Sequence, residues 1–379
     1  MDPIPYGKHT IEQADIDAVV DALKSGWITQ GPTVLEFEKQ FAEYVGAKYA
    51  VSTTSGTTAL HLCAKVLEAG PNDTYLCSPL TFVASSNAIL YESGNVELVD
   101  ICPKTYTMDI DRAEKIIESS PGKYTGLVIT DYAGRPADRE RVSKLCEKYQ
   151  LKVIYDACHS LGARYTDSSS NTHIVGSCAY GGINAFSFHP VKHITTCEGG
   201  MITTNDKKIY KRLQLLKTHG IVKNHNNTST PWVQEMVELG YNYRLPDILA
   251  ALGISQLKRA EESLDKRLEI AAYYDRELSE LEIELPHRDA SFKHGFHLYA
   301  IQSDQRDQLY THLRANNVGV QVHYVPVHQM PYYIEYFGKK LEFPNTDSFY
   351  QRCLSLPIYP TLKREEQDYV IQKIKEFFN

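Results

Sequence analysis

Short runs of apolar, often β-branched residues alternate with helix-length segments through most of the chain. The clearest of these runs are VELVDI, GLVITDY and KVIYDAC, at residues 96–101, 126–132 and 152–158. None shows the polar alternation of a strand with one solvated face, so we expect helices to cover these strands on both faces. The pattern therefore predicts an α/β fold with a parallel or mixed sheet between helical layers.

A second, smaller body is predicted after this region. Residues 245–282 indicate one long helix or a pair of helices that leaves the first body. Strand-like HLYAIQ, a helix at about 305–316, strand-like VGVQVHY and a final amphipathic helix near 363–378 follow it. Because 379 residues exceed one minimal core, we predict a large domain at 1–250 and a smaller α+β domain at 251–379.

The composition argues against several kinds of partner. A net charge of −7 and a pI near 6.1 give no electrostatic basis for binding nucleic acid. The chain has no apolar run of the roughly 20 residues that span a bilayer and no signal peptide pattern, so we expect no membrane association. The eight cysteines form no CxxC pair, which indicates neither a metal site nor a disulfide framework. We expect a cytoplasmic protein, in which NNTS at 226–229 is a polar loop.

One lysine stands in unusual surroundings. In FSFHPVKHITTCEGG, residues 186–200, Lys192 lies among apolar and aromatic residues between a strand end and a glycine pair. An unpaired amine in such a place has a lowered pKa, because burial disfavours the ammonium form. The free base can attack an aldehyde or ketone. Taken alone, a lysine that is simply paired or reaches solvent explains the pattern more often.

Three further stretches carry related chemistry in chain order. TTSGTTAL, residues 53–60, places small hydroxyl residues at a helix N-terminus, which suits a phosphate group, although such residues cap ordinary helices as well. In SPLTFVASSN, residues 78–87, Phe82 follows a strand and could lie over a flat cofactor or pack in the core. In VIYDACHSLGA, residues 153–163, Asp156 ends a buried strand and either pairs with a cation, with His159 nearby, or caps a helix.

These stretches, together with LGYNYRLPDI and VQVHYVPVH, resemble in order the motifs of the DegT/DnrJ/EryC1/StrS sugar-nucleotide aminotransferases. The resemblance covers nearly the whole chain. It implies the type I aminotransferase fold, with a large three-layer domain and a smaller C-terminal domain, and pyridoxal 5′-phosphate (PLP) as cofactor. Within the family, ITQG at 28–31, DYAGRPAD at 131–138 and QVHY at 321–324 are most similar to the pseudaminic acid branch.

The resemblance also implies roles for individual residues. Lys192 would hold the cofactor and move the proton, Asp156 would keep the pyridine nitrogen protonated, and His159 would neighbour the ring. The residues implied to bind the cofactor are Thr54, Ser55, Gly56, Thr57, Phe82, Asp156, His159, Ser187, Lys192 and Asn242. Those implied to bind substrate are Tyr6, Gly26, Trp27, Ile28, Thr29, Gly56, Ser187, Asn242, Gln321, Val322, His323 and Tyr324. Because Asn242 would act from the neighbouring subunit, a homodimer with shared sites is implied.

The implied reaction transfers nitrogen from L-glutamate to C4 of a UDP-4-keto-6-deoxy-N-acetylhexosamine. The products would be UDP-4-amino-4,6-dideoxy-N-acetyl-β-L-altrosamine and 2-oxoglutarate. Lys192 argues against the dehydratase branch, in which a histidine takes this position. Two alternatives stay open at this point. The chain could aminate another keto-sugar nucleotide, such as UDP-4-keto-6-deoxy-D-GlcNAc, UDP-4-keto-arabinose or a TDP-keto-sugar, or it could be a non-catalytic binding protein of the same fold.

Overall fold

The computed structural model describes residues 2–223 and 232–378, so NNTS at 226–229 lies outside the described residues. Its helices are α1 Gln13–Lys24, α2 Pro32–Val45, α3 Gly56–Val66, α4 Ala84–Tyr91, α5 Ile110–Ser119, α6 Arg139–Tyr149, α7 Lys207–Leu216, α8 Asp247–Leu257, α9 Ala260–Leu278, α10 Arg306–Ala315, α11 Pro331–Phe337, α12 Pro344–Arg352 and α13 Arg364–Phe378. Its strands are β1 Tyr49–Thr53, β2 Thr74–Cys77, β3 Asn95–Leu98, β4 Gly126–Thr130, β5 Lys152–Asp156, β6 Arg164–Thr166, β7 Thr172–Ile174, β8 Ile183–Ser187, β9 Gly200–Thr204, β10 Ile221–Lys223, β11 Gln234–Met236, β12 Phe292–Lys293, β13 Tyr299–Gln302 and β14 Cys353–Leu356.

A seven-stranded sheet in the order β1-β9-β8-β5-β4-β2-β3 forms the centre of the large body. Strands β8, β5, β4, β2 and β3 run parallel, whereas β9 is antiparallel to both of its neighbours. Successive residues of β4 pack on opposite faces: Val128 lies in a cluster with Leu60 of α3, and Ile129 in a cluster with Val142 of α6. This two-sided burial confirms the predicted α/β class, with a mixed sheet between helical layers.

The C-terminal part has its own core. Strands β13 and β14 pair antiparallel, and their apolar residues pack with helices α9, α10 and α13, for example Ile301 with Leu309 and Ile371. The predicted helical segment at 245–282 is a helix pair, α8 and α9. Because α8 packs against α1 and α2 of the large body, the boundary proposed between residues 250 and 251 cuts through a helix; its position stays a prediction.

Two details differ from what the sequence pattern indicates. The strand-like stretch at 318–324 forms only single bridges, Val318 to Ile4 and Gln321 to Ser355. The N-terminal segment that meets this stretch at Ile4 does not pair with it further along, because its Tyr6 carbonyl accepts the Ile358 N–H. Helix α1 turns much of its apolar face outward, because its buried residue Asp15 is held by the guanidinium group of Arg259. None of the described helices is both long and apolar enough to cross a membrane.

Candidate active site

A cavity of about 400 Å³ opens at the carboxyl ends of strands β5 and β8. This is the usual position of a ligand site in an open α/β sheet. Eleven of the residues predicted from the sequence line it: Tyr6, Ser55, Gly56, Thr57, Phe82, Asp156, His159, Ser187, Lys192, His323 and Tyr324. Chain segments far apart in sequence therefore meet in one place, as the motif order implied.

One end of the cavity is built by the start of α3. Ser55 caps this helix, with its side chain accepting a hydrogen bond from the Thr58 N–H at 3.1 Å. The first N–H groups of a helix lack intrahelical partners and favour an anion. Gly56 is needed here because an added Cβ would lie 2.8 Å from the Cβ of Ser187, so the glycine lets the start of α3 pack closely against the end of β8. This end fits a phosphate group.

Asp156 forms the floor of the cavity at the end of β5. Its carboxylate is buried, and its Oδ1 accepts the Cys158 N–H at 3.1 Å. Its Oδ2 accepts the Ser85 hydroxyl at 2.5 Å. Behind Ser85 the hydrogen-bonded chain continues to Thr81 and from there to Thr130, at 2.7 and 3.0 Å. Two donors thus hold the carboxylate in a fixed direction, where it can accept a further hydrogen bond from a cationic partner.

Lys192 lies in the loop that joins β8 to β9, half-buried at the cavity wall. Burial lowers the pKa of its amine, and the nearby Cys158 and Asp156 oppose this shift. Its Nζ lies 3.3 Å from Nε2 of His297, a neutral partner rather than a carboxylate. Among the described residues, Lys192 forms no salt bridge and has His297 as its side-chain partner, so the explanation by ion pairing does not hold. This arrangement favours the reactive free base.

Aromatic side chains close the opposite wall. The Phe82 side chain is 54% exposed, and its ring centroid lies 5.9 Å from that of Tyr324. The Tyr324 hydroxyl lies 3.1 Å from Nε2 of His159. Burial, and after it the positive charge of Lys192, lowers the pKa of His159 well below its usual range. The wall therefore offers flat apolar surfaces and an uncharged imidazole at neutral pH, a suitable setting for a planar ring.

The remaining predicted residues lie away from the cavity of the single chain. They are Thr54, the exposed turn Gly26, Trp27, Ile28 and Thr29, the exposed Asn242, and Gln321 and Val322. Their assignment to a site stays a prediction.

Conversely, sequence reasoning did not assign His297, Thr81 or Ser85, although the last two lie within SPLTFVASSN. Among the described residues, no group of three or more His, Cys, Asp or Glu side chains could hold a metal ion.

Comparison with known proteins decides the family. A family model described as the DegT/DnrJ/EryC1/StrS aminotransferase family matches residues 9–375. The chain belongs to this family. It is a PLP-dependent sugar aminotransferase, which confirms the fold, the enzyme class and the cofactor predicted from the motifs.

Two curated relatives cover almost the whole chain. UDP-4-amino-4,6-dideoxy-N-acetyl-beta-L-altrosamine transaminase of Campylobacter jejuni subsp. jejuni serotype O:23/36 is 36% identical over 373 residues, or 97% of this chain and 95% of that protein. UDP-4-amino-4-deoxy-L-arabinose--oxoglutarate aminotransferase of Shewanella sediminis is 33% identical over 390 residues, or 98% of this chain and 97% of that protein. The two names state different sugars, so the family is shown and the sugar is not.

Two solved structures have the same fold. Helicobacter pylori PseC, described as an aminotransferase involved in the biosynthesis of pseudoaminic acid, gives a TM-score of 0.90 at 29% identity, covering 100% of this chain and 99% of that chain. Spr1654 of Streptococcus pneumoniae in its PMP form gives a TM-score of 0.91 at 28% identity, covering 98% of each chain. PMP, pyridoxamine phosphate, is the aminated form of PLP, and transamination requires both forms.

The donor set of the cavity fits PLP. Its α3 end suits the phosphate, Asp156 suits a protonated ring nitrogen, and Lys192 suits the aldehyde.

Removing the Ser85 hydroxyl tests how far cofactor binding depends on the fixed direction of Asp156. Ser85→Ala is expected to weaken PLP binding roughly tenfold, because a hydrogen bond to a charged group contributes about 1.5–3 kcal/mol. Equilibrium dialysis with PLP measures this change. Ser86→Ala is the matched control, since the buried Ser86 hydroxyl has no hydrogen-bond partner among the described residues. Equal affinities for the two variants would contradict the role of Ser85.

Proposed function

We propose that this aminotransferase transfers the amino group of L-glutamate to C4 of a UDP-4-keto-6-deoxy-N-acetylhexosamine. The products are UDP-4-amino-4,6-dideoxy-N-acetyl-β-L-altrosamine and 2-oxoglutarate. The observation that carries the proposal is the cavity with Lys192 and Asp156 in a chain that is 36% identical to a transaminase of that name. The name of the Campylobacter jejuni enzyme supports this sugar, and the description of PseC supports a role in the biosynthesis of pseudoaminic acid.

Each side chain at the cofactor end has a separate task. When bound, PLP supplies an aldehyde that takes up an amino group and a ring that accepts the electrons released at the neighbouring carbon. Lys192 would hold that aldehyde, and its free Nζ would be the base that takes the proton from the donor carbon. Asp156 would keep a positive charge at the ring nitrogen, and Phe82 would lie against the ring. Ser55, the N–H groups of Gly56 and Thr57, and Ser187 hold the phosphate.

The sugar is assigned to the part of the cavity lined by Tyr6 and His323, whose rings lie 5.2 Å apart. Burial lowers the pKa of His323 to about 4, so it is uncharged at neutral pH and contacts the sugar nucleotide as a neutral group. Its Nδ1 is already engaged by the Ser355 hydroxyl at 2.9 Å, which leaves Nε2 for a ligand. Neutral polar side chains of this kind suit sugar hydroxyl groups.

Two copies of the chain complete each site in this proposal. Trp27 and Ile28 are 58% and 53% exposed, and the adjoining α1 and α2 also expose Ile16, Leu23 and Leu35. The start of α2, just after this turn, is fixed by the Asp247 carboxylate, which accepts the N–H groups of Gly31 and Thr33 at 2.6 and 2.9 Å. An apolar surface on a rigid support is typical of a protein interface. A second copy of this chain covers it, and the turn at 26–29 and Asn242 reach the neighbouring cavity.

Charging this surface is expected to separate the subunits. Leu23→Glu combined with Leu35→Glu buries two carboxylates in the interface, so the double variant should sediment as a monomer at micromolar concentration and lose most of its transaminase activity. Both positions are exposed in the single chain, so its fold should persist, as circular dichroism would show. Gln308→Glu adds a carboxylate on α10 as a control and should remain dimeric. A fully active monomer would contradict the shared site.

Product identification tests the reaction. The enzyme is incubated with L-glutamate and, separately, with the L-arabino and D-xylo epimers of UDP-2-acetamido-2,6-dideoxy-4-hexulose and with UDP-4-keto-arabinose. The expected result is a single 4-amino product of L-altro configuration by NMR, together with one 2-oxoglutarate for each amino sugar. Amination of UDP-4-keto-arabinose alone would instead support the activity named for the Shewanella sediminis relative.

A further inference from the structure

His297 faces the reactive amine although no motif singles it out. It stands just before β13, is buried and lines the cavity, with Nε2 at 3.3 Å from Nζ of Lys192. Its ring centroid lies 4.4 Å from that of His159. His297 is therefore in direct contact with the nitrogen that carries the chemistry and with the histidine predicted to neighbour the cofactor.

The loop that carries His297 is fixed to the loop that carries Lys192. His193, the next residue after the lysine, donates its Nε2–H to the Gly295 carbonyl at 2.7 Å, and the Gly295 N–H donates to the Gly134 carbonyl at 2.7 Å. A Cβ at Gly295 would lie 3.1 Å from the carbonyl oxygen of His159, which is closer than most Cβ contacts, so the close approach favours a glycine. The distance between the two side chains thus follows from a packed and hydrogen-bonded framework.

The hydrogen-bond partners of His297 indicate which nitrogen carries the proton. Its buried Nδ1 has no partner among the described residues. A proton on Nδ1 would leave a buried N–H without an acceptor, which is rarer in proteins than an unused ring lone pair. With the proton on Nε2, the ring donates to Lys192, and the amine must then offer its lone pair. This hydrogen bond exists only when the Lys192 amine is unprotonated.

The other titratable groups around Lys192 do not mask the effect of the His297 N–H on the protonation of the lysine. They are Asp156, Cys158, His159, His193 and His323. Burial raises the pKa of the Cys158 thiol and lowers the pKa of His193 to about 3, so both are uncharged at neutral pH. His159 and His323 are uncharged for the same reason. Asp156 therefore remains as the charge that favours the ammonium form.

We propose that His297 is a positioning residue for Lys192, donating its Nε2–H to the lone pair of the free amine. It keeps the displaced lysine unprotonated and in one place while the amine is not bonded to the cofactor. The proposal rests on the role proposed above for Lys192. It adds a group whose effect is on the proton affinity of the lysine and not on substrate binding.

The pKa of Lys192 in the full-length protein without cofactor measures this effect. Trace labelling with acetic anhydride between pH 5 and pH 10, followed by peptide mass spectrometry, gives the free-base fraction of each lysine. His297→Leu is expected to raise the pKa of Lys192 by about one unit, a tenfold loss of free base at neutral pH, which is the size of one hydrogen bond. The added apolar surface alone would lower that pKa, so a rise is specific to the lost N–H.

Two further variants make the test independent of the folding of His297→Leu. His297→Gln places an amide N–H near the position of Nε2 and should restore the wild-type pKa within a few tenths of a unit. His297→Asn is polar but too short to reach Lys192, and it should behave like His297→Leu. An unchanged or lowered pKa in the leucine or asparagine variant, or a glutamine variant that does not restore it, would overturn the proposal.

A parallel measurement separates this proposal from the one on which it rests. Wild-type protein loaded with PLP is reduced with borohydride, and the modified lysine is located by peptide mapping. A cofactor found on another lysine would overturn the role of Lys192 itself. If the cofactor is found on Lys192 but the pKa of Lys192 does not change when His297 is substituted, only the positioning role is overturned.

Discussion

Lys192→Ala is expected to lower the transaminase turnover number by at least about 10³-fold, the largest effect of any single substitution in this protein. The change removes both the covalent hold on the cofactor and the base that moves the proton. PLP should still bind, since Asp156 and the α3 end of the cavity remain, but borohydride should no longer fix it to the protein. Steady-state kinetics with L-glutamate and absorbance before and after dialysis measure both consequences.

A matched control and a rescue make this test specific. Lys207→Ala removes an exposed lysine at the start of α7 and should leave turnover unchanged. Added methylamine should restore part of the activity of Lys192→Ala, because a small amine fits the space that the side chain leaves. A Lys192→Ala variant with more than a tenth of the wild-type activity would contradict the role of the lysine.

Asp156→Asn is expected to lower turnover by roughly 10²–10³-fold, the cost of removing one fixed electrostatic partner from an active site. The carboxylate accepts hydrogen bonds from Ser85 and from the Cys158 N–H and still has a lone pair for a protonated ring nitrogen. An amide of the same shape has one acceptor oxygen and directs an N–H group at one of these donors. Turnover and the absorbance spectrum of the bound cofactor against pH measure the loss.

Asp138→Asn is the matched control for Asp156→Asn. Asp138 caps α6 by accepting the Arg141 N–H, and asparagine caps helices equally well, so Asp138→Asn should change neither stability nor activity. Asp156→Asn should also keep its melting temperature within a few degrees, since the shape is preserved. Wild-type turnover in Asp156→Asn would show that the carboxylate does not act on the cofactor ring.

The large sheet could be predicted because its strands are buried on both faces. A stretch such as GLVITDY has no polar alternation, and β4 indeed packs Val128 and Ile129 into different clusters. The stretch at 318–324 shows the limit of such patterns. Its β-branched residues favour a strand, yet it forms only single bridges with Ile4 and Ser355. The number of bridges depends on the path of the N-terminal segment, which the local pattern does not contain.

The site could be predicted where a motif and its task lie in one stretch of sequence. Asp156 ends its strand, Ser55 caps its helix, and Lys192 lies between two strands, so local patterns mark all three as candidates and the family resemblance supplies their roles. The contact between Lys192 and His297 joins residues 105 positions apart and arises from the packing of two loops. The histidine that begins strand-like HLYAIQ was the available signal, and a core histidine at the start of a strand would look the same in the sequence.

Peptide mapping of the wild-type protein after PLP loading and borohydride reduction tests the central claim most directly. The account predicts one cofactor per chain as a stable adduct on the peptide that contains Lys192, and none on any other lysine. A protein that stays unmodified under saturating PLP, or that carries the adduct elsewhere, would contradict it.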